Sequence, residues 1–397
     1  MTRRLASRLS RVSPSATLAL KAQADRLRLE GRDIVDFGPG EPDFDTPRAA
    51  REAGIQAIQQ GFTHYTTPAG IPELRRAIGR QHASGDQVGA LGPEEVLVGA
   101  GGKSILFAAA MALVEADDEV VIFAPYWVSF PDQVRLAGGQ VRFAACESEL
   151  GFAMTARSLE AALSPRTRMV IINSPCNPTG AVVSRHEAQQ IAELVVARDL
   201  WLVSDETYAL FVYDAADRFS WLSLRDQLGE RLIVAGSLSK TYAMTGWRVG
   251  YALAAPAVIQ ALLTIQGHDT TQAASISQRA ALAALQLCSA DPHQMLAEYA
   301  GRRQLVVEAL QAIPGVRLIP PRGAFYAFPD VRELMLTRGY RSSEEFCSAL
   351  LAEHGVALVP GEAFGAPGFV RLSYATSINR LTEGLARMTR CAQGARA

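Results

Sequence analysis

The sequence predicts an α/β protein: a large domain on a mainly parallel sheet, with a smaller α/β domain beside it. Three observations predict it. Between about residues 95 and 250, short apolar runs alternate with longer helical segments: "EEVLVGA", "DEVVIFAPY", "RMVIINSP", "DLWLVSDE", "ERLIVAGS" and "WRVGYAL". Several of these runs show little polar alternation, as expected of strands covered by helices on both faces. After about residue 275 the pattern changes to long helical stretches, followed by "GVRLIPPRGAFYAF" and "GVALVPGEAFGAPGFVRLSYA", which read as strands and turns between helices. The expected division is residues 1–45 as an N-terminal arm and part of the small domain, 46–300 as the large domain, and 301–397 as the small C-terminal domain.

At the N-terminus, residues 1 to 24 carry Arg3, Arg4, Arg8, Arg11 and Lys21 with no acidic side chain. Transit peptides share this bias, but no long apolar stretch accompanies it. A mobile basic arm and a cytoplasmic location are expected. The chain as a whole balances 39 Lys plus Arg against 40 Asp plus Glu, a net charge of -1, so no global basic field attracts nucleic acid or an anionic membrane. No run reaches the ~18 apolar residues of a membrane span. The five cysteines are scattered without a C-x-x-C pair and the six histidines form no H-E-x-x-H, so neither a disulfide framework nor a metal site is expected.

The segment "VLVGAGGKSILF" reads as strand, loop and helix, and backbone N–H groups at such a helix start cradle an anion. It matches neither common nucleotide motif. Leu97 occupies the first glycine position of G-x-x-x-x-G-K-[ST], and Ser104 the third of G-x-G-x-x-G. A nucleotide-binding ATPase is therefore disfavoured.

Ligands of parallel sheets bind outside the carboxyl ends of the strands. There the sequence places Gly101, Gly102 and Lys103; Tyr126 and Trp127; Asn173 to Gly180; Asp205 to Tyr208; and Ser237 to Lys240. In "INSPCNPTG" two prolines and a glycine constrain a turn that presents the Asn177 amide, or simply initiate a turn. Asp205 ends an apolar strand and needs a cationic partner, or else caps a helix. In "GSLSKTYAMTGWRVGY", Lys240 lies near Arg248, and a neighbouring cation lowers an amine pKa toward the neutral nucleophile. Arg248 and Ser237 could hold a phosphate. A solvated lysine in a Gly/Ser turn is the plain alternative.

Taken in order, "PYW", "NPTG", "SDETY", "SLSK" and "MTGWRVGY" resemble the class I aminotransferases, which have the fold type I architecture and use pyridoxal 5'-phosphate (PLP). The stretches "PSATLAL", "GPGEPDFDTP", "HYTTPAGIPELRRAI", "GGKSILF", "RGAFY" and "VRLSYATS" extend the resemblance, over nearly the whole chain, to the bacterial aspartate aminotransferase subgroup. The resemblance implies a seven-stranded large-domain sheet. It also implies that Lys240 holds the cofactor covalently and then shuttles a proton, that Asp205 keeps the pyridine nitrogen protonated, and that Asn177 and Tyr208 bond the ring oxygen. Trp127 would stack on the ring. The phosphate would rest on the backbone around Gly101, Gly102 and Lys103, with Ser237, Arg248 and, from a second subunit, Tyr65. A homodimer with shared sites follows.

By the same resemblance Arg371 receives the substrate α-carboxylate, Gly40 closes over it, and Lys103 with Thr17 meets a distal carboxylate. Asn177 and Trp127 also border the substrate. The implied reaction moves an amine between an amino acid and a 2-oxo acid, aspartate with 2-oxoglutarate in this subgroup. Cys176 replaces an asparagine common before Asn177, and "GSLSK" replaces the subgroup's "NGxxK". Prephenate or aromatic substrates, or a PLP-dependent β-lyase or synthase, remain the alternatives within this chemistry. A non-catalytic PLP-binding regulator would need a DNA-binding domain, for which the chain has no evident room.

Overall fold

The structure is a computed structural model and describes residues 5–12, 16–83, 89 and 91–394 of the chain. Twelve strands occur among these residues. They are β1 (Val35–Asp36), β2 (Val96–Gly99), β3 (Glu119–Ala124), β4 (Gln140–Ala145), β5 (Thr167–Asn173), β6 (Trp201–Asp205), β7 (Leu232–Ser237), β8 (Gly250–Ala254), β9 (Tyr326–Ala327), β10 (Val356–Ala357), β11 (Val359–Pro360) and β12 (Val370–Ser373).

Strands β2 to β8 form one seven-stranded sheet in the order β2-β8-β7-β6-β5-β3-β4. Only β8 runs against its neighbours, β2 and β7; the other pairs are parallel. The period-two geometry of a strand explains the apolar runs. In β3, Val120 and Ile122 face one core and Val121 and Phe123 the other; Met169 and Ile171 against Val170 and Ile172 repeat the pattern in β5. Each such fully buried aliphatic side chain contributes about 1.5–3 kcal/mol relative to exposure.

A further core gathers residues from β1, β9, β10 and β12 and from the helices Asp291–Gln311, Ser343–His354 and Ile378–Gln393. Its sheets are small: β11-β12-β9 is antiparallel, and β1 pairs with β10 in parallel. The helix Asp291–Gln311 runs past position 301, and its buried Met295, Tyr299, Val306, Val307 and Leu310 all join this core. Tyr208, Phe211 and Ala243 reach it from the large-sheet loops.

The N-terminal stretch differs from the mobile arm the sequence suggests. Ser7–Arg11 forms a 3-10 helix, and an α-helix covers Ala16–Leu29. Leu20, Ala24 and Leu27 lie at helical spacing and pack with Ile34, Leu351 and Ala357, so an apolar stripe ties this helix down. Among the described residues, no helix is long and apolar enough to cross a membrane.

Candidate active site

Strand register assembles the floor of the site. Asn173 stands opposite Asp205, Asp205 opposite Ala235, and Ser237 opposite Gly250, which in turn stands opposite Gly99. These strand ends open into a cavity of about 520 Å³ whose wall includes Gly40, Gly102, Lys103, Trp127, Asn177, Asp205, Tyr208, Ser237, Lys240, Arg248 and Arg371. Eleven sequence-predicted residues thus meet in one place.

The glycines after β2 make the anion cradle possible. The helix Gly102–Leu113 starts at Gly101, whose φ of 91° favours glycine, and a Cβ there would lie 2.5 Å from the Arg248 guanidinium. A Cβ on Gly250 would collide with the backbone of Gly101 and Gly102. Tight packing therefore brings the helix N-terminus to the end of β7. Even a Cβ on Gly102 would sit 3.4 Å from both the Ser237 Cβ and the Thr207 hydroxyl. Helix N–H groups, two hydroxyls and a guanidinium converge here, a donor set suited to a phosphate dianion.

Ser237 begins the short helix Leu238–Thr241, its hydroxyl accepting from the Ser239 N–H at 3.1 Å, and Lys240 rides one turn on. The Lys240 amine donates to the Gly40 carbonyl. Burial lowers its pKa to about 8; the Arg248 and Arg371 charges act in the same direction, while Glu41 and Asp205 oppose them. At neutral pH an appreciable fraction of this amine is an unprotonated nucleophile.

Asp205 is buried, and its side chain accepts from the Thr207 N–H at 3.1 Å, so it ends in a turn rather than capping a helix. Burial raises its pKa, against the pull of Thr207 and the Lys240 charge. A protonated ring nitrogen would supply the cation such a carboxylate requires. Asn177 follows a turn with cis peptide bonds at Ser174–Pro175 and Asn177–Pro178, and its backbone N–H bonds the Asn173 side chain at 2.8 Å. The Tyr208 hydroxyl shares a 2.7 Å hydrogen bond with that of Tyr326; burial, then Tyr326, pushes its pKa well up.

Arg371 lies on β12 and is 3% exposed. One terminal nitrogen donates to the Asn177 amide oxygen at 2.9 Å and the other to the Gly38 carbonyl at 2.6 Å. Its guanidinium sits over the Tyr326 ring at 4.6 Å and the Phe364 ring at 5.1 Å. Its Nε has no protein partner. A buried cation with an unused donor inside a cavity suits an incoming carboxylate.

Lys103 is exposed, but its ammonium stands 4.9 Å from the centre of the Trp127 ring. Burial of the ammonium, then the like charge of Arg248, lowers its pKa. Tyr65 is 87% exposed and stands outside the cavity wall of its own chain. Thr17 lies within the helix Ala16–Leu29, but its side chain is outside the described residues. Cys176 is buried beside the site and burial raises its thiol pKa, which makes it an inert packing group.

Thr207, Ser239, Thr245 and Tyr326 also line the cavity. Each lies inside or beside a motif read from sequence, "SDETY", "SLSK", "MTGWR" and "RGAFY", but the direction of a turn side chain is set by backbone conformation rather than spacing. Among the described residues, no group of three or more His, Cys, Asp or Glu could hold a metal ion.

Comparison with known proteins shows the family to which the chain belongs. The family described as aminotransferase class I and II matches residues 32–388. The aspartate aminotransferase of Geobacillus stearothermophilus is 40% identical over 387 residues, 98% of this chain and 98% of its own. The aspartate/prephenate aminotransferase of Cereibacter sphaeroides is 42% identical over 394 residues, 97% of each chain. Among solved structures, Thermus thermophilus aspartate aminotransferase with maleate superposes with a TM-score of 0.92 at 39% identity, covering 98% of this chain and 100% of that one.

Proposed function

The chain belongs to the class I and II aminotransferases, PLP-dependent enzymes, and from that premise we propose that it transfers the amine of L-aspartate to 2-oxoglutarate, yielding oxaloacetate and L-glutamate. The observation that carries the substrate reading is that, with Arg248 given to the phosphate, Lys240 to the cofactor and Lys21 ion-paired with Asp25, the cavity wall leaves two cations for substrate, Arg371 buried and Lys103 exposed. A diacid gives each of them a carboxylate.

When bound, PLP supplies an electron sink that makes the substrate Cα–H acidic. The protein does the rest. Gly101, Gly102, Ser237, Arg248 and the backbone at Lys103 would anchor the phosphate, and Asp205 would keep the ring nitrogen protonated by offering it a buried carboxylate. Asn177 and Tyr208 bond the ring oxygen; with its amide oxygen spent on Arg371, Asn177 has its NH₂ group to give. Trp127 covers the ring face. Lys240 would hold the cofactor and, once the substrate amine has displaced it, would act as a free amine of lowered basicity that takes the proton from the substrate Cα. Arg371 orients the α-carboxylate, with Gly40 closing over it. Lys103, with Thr17, receives the distal carboxylate.

A second reading rests on the Cereibacter sphaeroides relative, named for both aspartate and prephenate. The pyruvyl and ring carboxylates of prephenate would meet the same Arg371 and Lys103. We also propose the two-domain division read from the sequence, residues 46–300 against 1–45 and 301–397, with its second boundary drawn back to the start of the helix Asp291–Gln311, whose buried Met295 and Tyr299 join the small core. Further, the active form is a cytoplasmic homodimer to which Tyr65 contributes from the partner; its exposure within one chain supports this.

The test is the visible spectrum of the purified protein, recorded before and after L-aspartate, with 2-oxoglutarate added last. The expected yellow band bleaches with aspartate and returns with the oxo acid. A band indifferent to aspartate would remove the diacid reading, and prephenate would be tried next. No band after reconstitution with PLP would refute the site assignment.

A further inference from the structure

Tyr326 joins the two chemically distinct halves of the cavity. It lies on β9, is fully buried, and stands opposite Ser373 of β12, the strand that carries Arg371. Its hydroxyl meets that of Tyr208 at 2.7 Å, while its ring lies under the Arg371 guanidinium at 4.6 Å. The hydroxyl also fills the space a side chain would need at Gly40, the residue whose carbonyl accepts from Lys240. One side chain thus touches the residue proposed to read the ring oxygen, the one proposed to bind the α-carboxylate, and the loop proposed to close over it.

We infer that Tyr326 is a positioning residue: its hydroxyl orients the Tyr208 O–H toward the cofactor ring oxygen, and its ring holds the Arg371 plane ready for the substrate carboxylate. This rests on the aminotransferase site assignment above. The hydrogen-bond inventory supports the first part. Tyr208 has a single O–H, and once that proton points at the ring oxygen its own oxygen can only accept, which makes Tyr326 the donor. The second part follows from the stacking of a guanidinium on an aromatic face, which fixes the plane in which a bidentate carboxylate must approach. The charged and titratable groups that bear on Tyr208 and Tyr326 include Arg371, Asp205, Tyr299 and Tyr374, with Lys240 and Glu41 on the same cavity wall.

The experiment compares the holoenzyme with Tyr326→Phe, Tyr208→Phe and the double variant. It measures the pH midpoint of the cofactor's visible band, with KM and kcat for L-aspartate. With its donor disordered, the ring oxygen keeps its proton to higher pH. Tyr326→Phe is expected to raise the midpoint by about 0.5 to 1 pH unit, with KM nearly unchanged because the ring stays under Arg371. In the Tyr208→Phe background the same substitution should shift nothing, since it acts through Tyr208. Tyr326→Leu, which removes the ring, should raise KM about tenfold. Gly40→Ala pushes on the hydroxyl while leaving residue 326 a tyrosine and should move the midpoint the same way, a second route should the Tyr326 variants fold poorly. An unmoved midpoint in Tyr326→Phe or Gly40→Ala, or equal shifts with and without Tyr208, overturns the inference while a wild-type band leaves the enzyme assignment standing. Absence of any wild-type band overturns both.

Discussion

Of the two cations proposed to read the substrate, Arg371 is buried, its terminal nitrogens committed to Asn177 and Gly38 and its guanidinium close to the Tyr326 and Phe364 rings. Lys103, on the same cavity wall, is exposed, with the Trp127 ring close to its ammonium. The difference follows what each is proposed to read. The α-carboxylate is common to every amino acid, so a preorganised guanidinium loses little entropy on binding it. The distal group varies, and a flexible ammonium with three rotatable donors tolerates variation at the expense of orientation. Lys240, proposed to act on whatever substrate they hold, lines the same cavity.

The largest effect tests that shared centre. Lys240→Ala is expected to abolish steady-state turnover with every amino acid, since both the attachment point and the proton carrier are lost; near wild-type kcat in the variant would break the assignment. Next, Arg371→Ala should lower kcat/KM by about 100- to 1,000-fold for aspartate, alanine and aromatic substrates alike. Arg371→Lys should recover little, because a point charge cannot replace the planar fork. Steady-state kinetics that spared alanine would show that the buried cation is selective after all.

Lys103→Ala should cost about tenfold in kcat/KM for aspartate and glutamate and far less for alanine. A uniform loss would make Lys103 a phosphate-positioning residue and erase the contrast between the two cations. The smallest effect is on pH. With the Lys240 pKa lowered to about 8, the neutral amine grows as pH rises through that value, so capture of PLP by the cofactor-free protein should accelerate and then level off above it. Glu41 stabilises the ammonium, so Glu41→Gln should move this midpoint downward. Stopped-flow absorbance on both proteins provides the comparison.

Much of this was legible before folding. The alternation of apolar runs and helical segments announced a sheet buried on both faces, and strand parity bears that out in β3 and β5. The chemistry at the strand ends was legible because parallel sheets gather their ligand groups there. The N-terminal helix was missed because its stripe of Leu20, Ala24 and Leu27 is short and acquires a partner only near residues 351–357. Tyr326 was visible only as part of "RGAFY"; nothing in its spacing reveals that it meets Tyr208, 118 positions away.

The sequence by itself determined the kinds of group available and the order in which strands deliver them: glycines where backbone must approach backbone, a lysine after β7, a carboxylate at the end of β6. Those choices are local, set by backbone sterics and hydrophobic period. Only the tertiary structure decided that Arg371 spends its donors on Gly38 and Asn177, that the Lys240 amine is desolvated, and that Tyr326 lies between Tyr208 and Arg371. Most of these are contacts between segments more than a hundred residues apart. Their hydrogen-bond partners and degree of burial exist only once two separately built cores close on one cavity.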